Sequence, residues 1–343
     1  MEPAPRRSDA TLGPDGRGLG AALAGLASTL PAYLARQRWF RAKGRVIAGV
    51  SVADHAPLPA AGVPCVLALL HVSYAEGLAE TYLLPAAARP AVAAREVLGA
   101  HAPPLGRLVA PDGEWLVYDG LDDPSVGVAL LRQMEEAGRL QGAAGVFAFD
   151  RTPVLSQATG GLHPAPLGPP RRLRGEQTNT SLVYDDRLVL KVMRGVELGE
   201  NPDLEVSRFL TFRAGFRHVP LLAGFGRYQG ADGVRSVALL HTFVPNRGDA
   251  WTWTLAALRE FYAAVRDRPV PGTTEGVLES VSALAGDYLR GVRRLGEVTG
   301  ELHAALGSDP DDPDFGPEPV TPSDLAAWGV GIARQVDAAL GQV

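Results

Sequence analysis

The sequence predicts a mixed α/β chain, built from short strands through most of its length and from helices near its end. Three observations carry that prediction. Residues 181–184 and 188–193 are apolar runs on either side of Asp185-Asp186, the pattern of a β-hairpin. Earlier runs at 46–53, 63–74 and 80–84 are of strand length and bounded by turn residues. Beyond residue 249, apolar residues recur at helical spacing over 249–265, 276–306 and 325–340.

The elements follow in order. Residues 1–17 read as an irregular lead-in. Arg6-Arg7 ahead of the small apolar stretch 18–30 loosely mimics an export signal, but Asp9, Asp15 and Arg17 interrupt it. Leu19, Leu23, Leu26 and Leu30 predict a helix over 19–36 that breaks or restarts at Pro31. In Arg36-Gln37-Arg38-Trp39-Phe40 the aromatic pair reads as a core anchor and the arginines as partners of carboxylates. The three early strands suit a small curved antiparallel sheet with a turn at Glu76-Gly77. Residues 114–119 give a further strand after Pro111-Asp112-Gly113, 126–141 a helix and 146–150 a strand. Prolines and glycines make 156–172 a loop. After the hairpin, Asn201-Pro202-Asp203 marks a helix start. Residues 219–226 and 234–240 are strands, and 240–244 leads out toward the helices.

Composition sets limits. With 46% hydrophobic and 21% charged residues, the chain can bury a sizeable core. A net charge of −5 gives no reason to expect nucleic acid or an anionic membrane as partner. No apolar run reaches the roughly 18 residues of a membrane helix. The only cysteine, Cys65, sits in an apolar run, reads as a buried thiol and suits a reducing cytoplasm.

Lys191 stands inside the second run of the hairpin, where a bare ammonium is costly without an anionic partner. A lysine there can also be an edge residue whose stem packs while its head reaches water. Glu205, fourteen residues on, lies on the helix that starts at 201–203. A strand lysine answered by a helix glutamate is how a kinase N-lobe holds the α- and β-phosphates of ATP. The preceding stretch lacks G-x-G-x-x-G, but Gln177, Thr178, Asn179, Thr180 and Ser181 supply side-chain donors beside backbone N–H groups, which suits phosphate oxygens. Alone it is simply a polar turn.

Three blocks together resemble bacterial maltokinases, relatives of aminoglycoside phosphotransferases and protein kinases. They are RQRWF with Lys43-Gly44-Arg45, then GEQTNTSLVYDDRLVLKVMR with NPDLEVSRFL, then Phe243-Val244-Pro245-Asn246 with Gly248-Asp249 and Trp251. The resemblance implies a protein-kinase-like two-lobed α/β (α+β) fold with an N-terminal cap subdomain over 1–90. An intermediate N-lobe over 91–245 and an incomplete helical C-lobe over 246–343 would follow. It implies ATP-dependent phosphorylation of maltose to maltose 1-phosphate for α-glucan synthesis, with Mg²⁺, in the cytoplasm, and trehalose synthase as a fusion or binding partner. Lys191 would hold the phosphates, Glu205 would orient Lys191, residues 177–181 would cover the phosphates, and the main chain of Thr242, Phe243 and Val244 would meet the adenine edge.

The family's catalytic His-x-Asp is absent, since none of the seven histidines has aspartate two positions later. No catalytic residue and no metal ligand is therefore assigned, and the resemblance implies a chain that stops before its catalytic loop and is inactive alone. Asp314-Phe315-Gly316 spells a kinase metal motif, but it lies in the proline-rich acidic loop DPDDPDFGPEP with no strand before it and reads as a connection. Two other readings stay open: a kinase of the same fold acting on an aminosugar or aminoglycoside, and a non-catalytic nucleotide-binding or interaction module docking to trehalose synthase.

Overall fold

The strands anticipated along the chain gather into two sheets. The computed structural model describes residues 12–13, 16–99, 103–160, 167–173 and 178–341, with the backbone of Arg6 and Arg7. They fall into two units, one of residues 1–211 and 219–249, the other of residues 212–218 and 250–343.

The first unit opens with β1 (Arg6–Arg7), α1 (Leu19–Gly25), α2 (Leu30–Arg36), β2 (Ile47–Pro57), β3 (Cys65–Tyr74), β4 (Glu80–Pro90), α3 (Ala91–Leu98), β5 (Gly106–Ala110) and β6 (Gly113–Asp119). These strands form one sheet in the order β1-β5-β6-β4-β3-β2, antiparallel except for the β1–β5 pair. The helical region splits where Pro31 opens α2, proline being pre-organised for a first turn and lacking only an N–H that would go unused there. α1 and α2 pack on the sheet and bury Leu19, Leu23, Leu30, Tyr33 and Leu34, and Trp39 and Phe40 sit against Tyr82 in the same core. The aromatic pair is thus a core anchor. Arg36 and Arg38 are exposed and pair with no carboxylate among the described residues, contrary to the expected ion pairs. Cys65 is buried, which pushes its thiol pKa up and leaves it inert. The boundary expected at 90/91 falls at the end of β4, and β5 and β6 rejoin the same sheet beyond it.

A 3-10 turn (Gly120–Asp122) leads to α4 (Pro124–Glu136), β7 (Arg139–Gln141), β8 (Gly145–Arg151), α5 (Pro153–Thr159), β9 (Arg171–Arg172), β10 (Asn179–Tyr184), β11 (Leu188–Met193), α6 (Pro202–Phe212), β12 (Leu222–Gly230) and β13 (Gly233–Thr242). The second sheet is antiparallel throughout, in the order β7-β8-β12-β13-β11-β10-β9. The helix expected over 126–141 stops at Glu136, because Ala137 turns left-handed (φ 51°) and the freed chain pairs as β7. The loop expected over 156–172 holds the end of α5, which Thr152 caps and Gly160 terminates.

The two sheets touch through β11. Beyond Met193 its chain runs on beside β4, with the Leu83 N–H donating to the Arg194 carbonyl (2.7 Å) and the Val196 N–H to that of Thr81 (2.9 Å). A second contact is Asp54 of β2, 4% exposed, which accepts from the Ala143 and Ala144 N–H groups of the β7–β8 turn and from the Tyr228 hydroxyl of β12.

The second unit contains α7 (Ala250–Val265), α8 (Thr274–Leu306, broken at Ala285) and α9 (Pro322–Leu340). Thr321 and Asp324 close a capping box at the start of α9. α7 packs on α8 with the Trp253 and Tyr288 rings 4.6 Å apart, yet none of the three helices holds a fully buried residue.

Candidate nucleotide site

The hairpin forms as its sequence dictates. Asp185 (φ 46°) and Asp186 (φ 49°) both adopt the left-handed conformation, and with Arg187, whose N–H donates to the Tyr184 carbonyl (2.9 Å), they make a three-residue connection from Tyr184 to Leu188. The turn fixes the register, placing Ser181 opposite Lys191 and Val183 opposite Val189. Leu239 and His241 of β13 lie opposite Lys191 and Val189 on the other side of β11. Opposed residues share a face, so Ser181, Lys191 and His241 point the same way, toward α6.

The Lys191 ammonium, partly buried, meets the Asp203 carboxylate at 2.6 Å in the first turn of α6. The lysine is therefore paired by the helix, but by Asp203 and not by the Glu205 of the sequence reading. Two residues in a helix are turned about 200° apart, so the two carboxylates cannot both face β11. Asp203 and Ser207, four apart, share the inward face, and Ser207 Oγ lies 3.0 Å from His241 Nε2. Asn201 fastens the helix start: its side chain accepts from the Asp203 N–H, and its own N–H donates to Ser236 Oγ of β13. His241 is held neutral, its pKa lowered to about 4 by burial first and by the charge of Lys191 second.

The polar stretch before the hairpin divides. Gln177 lies outside the described residues. Thr178 is exposed and accepts from Asn179 Nδ2 (3.4 Å). Asn179, Thr180 and Ser181 are strand rather than loop residues, and alternation sends Thr180 to the face away from Lys191. There its hydroxyl accepts from Arg194 Nε (2.9 Å), so Thr180 has no side-chain donor aimed at a phosphate. Asn179 and Ser181 stay on the lysine face.

At the exit strand the Thr242 N–H donates to the Leu221 carbonyl and its hydroxyl accepts from the Leu221 N–H, both at 2.9 Å. The Phe243 N–H is taken by the Arg187 carbonyl (2.8 Å). That leaves Val244, half exposed, as the residue whose N–H meets no partner among the described residues. Asp314-Phe315-Gly316 is a closed turn, with the Asp314 and Phe315 N–H groups on the Asp312 carboxylate and the Gly316 N–H on the Asp312 carbonyl. Among the described residues no group of three or more His, Cys, Asp or Glu side chains gathers to hold a metal ion. None of their helices is long and apolar enough to cross a membrane.

Sequence reasoning missed Arg194, which is fully buried against Asp119. Its signal was an arginine ending an apolar strand with no turn residue between.

These features can be set beside known proteins. Residues 33–123 match the maltokinase N-terminal cap domain. The cap match thus spans α2 to the 3-10 turn, nearly all of the first sheet. Over 194 residues, 55% of this chain, the sequence is 28% identical to a glucosamine kinase of Streptacidiphilus jiangxiensis, 38% of which is matched. A solved glucosamine kinase in complex with glucosamine, ADP and inorganic phosphate is similar at 17% identity and a TM-score of 0.49, over 93% of this chain and 58% of that one. A second glucosamine kinase structure, crystal form A, is similar at 18% identity and a TM-score of 0.48 over the same shares. The chain spans less than two-thirds of the length of these relatives.

Proposed function

We propose that the chain is the nucleotide-holding part of a cytoplasmic sugar kinase, with ATP as phosphoryl donor and maltose as acceptor, giving maltose 1-phosphate. The observation that carries this reading is Lys191, an ammonium on an interior strand held in place by a carboxylate of the adjoining helix. Lys191 would hold the α- and β-phosphates as a fixed positive charge where negative charge accumulates. Asp203 would keep the lysine extended before the nucleotide arrives, with Glu205, one turn from Phe209, outside that pair. Ser181, opposite Lys191 on the same face of the sheet, would add to the contacts around the phosphates. The Val244 N–H would meet the adenine edge. Mg²⁺ would neutralise the phosphates in such a transfer, but the described residues offer no cluster of carboxylates to hold it.

The match to the maltokinase cap supports maltose as acceptor, and docking of trehalose synthase on the cap belongs to the same proposal. A second reading is favoured by the relative named a glucosamine kinase: the same transfer to an aminosugar. Turnover with ATP and either maltose or glucosamine by a longer protein that joins this chain to a catalytic loop, followed by ³¹P NMR, separates the two, whereas the chain by itself should bind ATP without transfer. Maltose 1-phosphate as main product is expected. Transfer to glucosamine with none to maltose would move the acceptor to the aminosugars.

A further inference from the structure

Lys191 and Asp203 lie at the two ends of a segment that leaves the second sheet, seats itself in the cap and returns. Residues 194–196 pair with β4 of the cap sheet through Leu83 N–H to Arg194 O and Val196 N–H to Thr81 O. Glu197 meets Arg41, and the Gly199 N–H then rejoins β13 at the Val234 carbonyl (2.7 Å). At the root of this excursion stands Arg194, 0% exposed. Its Nη2 donates to Asp119 Oδ2 of β6 (2.5 Å), its Nε to Thr180 Oγ1 of β10 (2.9 Å), and its guanidinium lies 4.7 Å from the centre of the Trp39 ring. One side chain therefore joins the cap sheet, the cap's aromatic anchor and the strand that pairs with Lys191.

We propose that Arg194 is a positioning residue through which the cap sets the geometry of the Lys191–Asp203 clamp; this rests on the nucleotide reading of Lys191. A buried ion pair is weak as a source of stability, since taking both charges from water offsets their attraction. What such a pair does supply is a demand for one arrangement. A slip of β11 by one residue would swing Lys191 to the opposite face, away from α6. The same slip would pull the guanidinium from Asp119 and Thr180 together and leave both charges buried and unpaired. The planar fork of arginine reaches both acceptors at once, which a lysine ammonium on a thinner stem cannot do.

The test is Arg194→Lys, with Lys191→Ala as control, read by ATP calorimetry and by hydrogen exchange. The expected result is an ATP Kd weakened by about tenfold, with faster exchange over residues 188–193 and 202–207. Exchange over residues 65–74, the β3 strand of the cap sheet, stays as in the wild type. A folded Arg194→Lys protein with wild-type Kd and wild-type exchange in those two segments overturns the proposal and leaves Arg194 as core packing alone. Should Arg194→Lys fail to fold, Thr180→Val, which keeps the shape and removes the acceptor, is judged on the same two readouts. If the wild type itself binds no ATP, the reading of Lys191 fails, and exchange over 188–193 and 202–207 decides the role of Arg194 without it.

Discussion

His241 illustrates how much a single residue's neighbours decide. It lies on the lysine face of the second sheet, bonded to Ser207, with Lys191 and Asp203 as the charged groups around it. Burial and the lysine lower its pKa from 6.5 to about 4, so the folded protein binds fewer protons than the unfolded chain between those values. Stability therefore rises with pH across that window: the contribution is complete above pH 6.5 and lost as pH falls toward 4. A shift of that size corresponds to about 3 kcal/mol. Urea unfolding of His241→Gln at pH 6.5 and pH 4 should show a loss on acidification smaller than the wild type's by about that amount. Equal losses in the two proteins would mean that His241 does not carry the effect. At this scale the sequence was half legible. A lysine inside an apolar run announces that it needs an anion, but which carboxylate answers depends on the phase of α6. Two residues' rotation, about 200°, separates Asp203 from Glu205, and spacing along the chain does not fix that phase.

Elements were most legible where local chemistry and tertiary role agree. The hairpin, the start of α6 and the restart at Pro31 carry their own turn or cap residues, and all three form as read. β1, β5, β7, β9, α3 and α5 were not anticipated, because strands of two to five residues and helices of seven or eight leave too little periodicity. Least legible were contacts between the sheets, which depend on residues far apart in sequence. Asp54 is the clearest case: the His55, Ala143 and Ala144 N–H groups and the Tyr228 hydroxyl all converge on it at 2.7–3.1 Å. Removing the carboxylate leaves the buried Tyr228 hydroxyl and three part-buried N–H groups without their acceptor, so Asp54→Ala should cost roughly 2–3 kcal/mol. Chemical denaturation followed by tryptophan fluorescence measures it. A loss below about 1 kcal/mol would show that the β7–β8 turn relaxes to water and that Asp54 does not join the sheets.

For the whole molecule, the first unit carries the buried core and the candidate site, whereas α7, α8 and α9 contain no fully buried residue. The strand-rich then helical division was legible because apolar spacing changes from strand-like runs to helical recurrence near residue 249. Residue 90 ends β4, and β5 and β6 return to the same sheet beyond it, a pairing between strands that no local pattern announces. The central claim is that the Lys191–Asp203 pair is a nucleotide clamp. Calorimetry with ATP, with and without Mg²⁺, on wild type, Lys191→Ala, Asp203→Asn and Glu205→Gln tests it most directly. The account predicts binding by the wild type, a loss of about tenfold or more for Lys191→Ala, and a larger loss for Asp203→Asn than for Glu205→Gln. Wild-type affinity retained by a folded Lys191→Ala protein would contradict it.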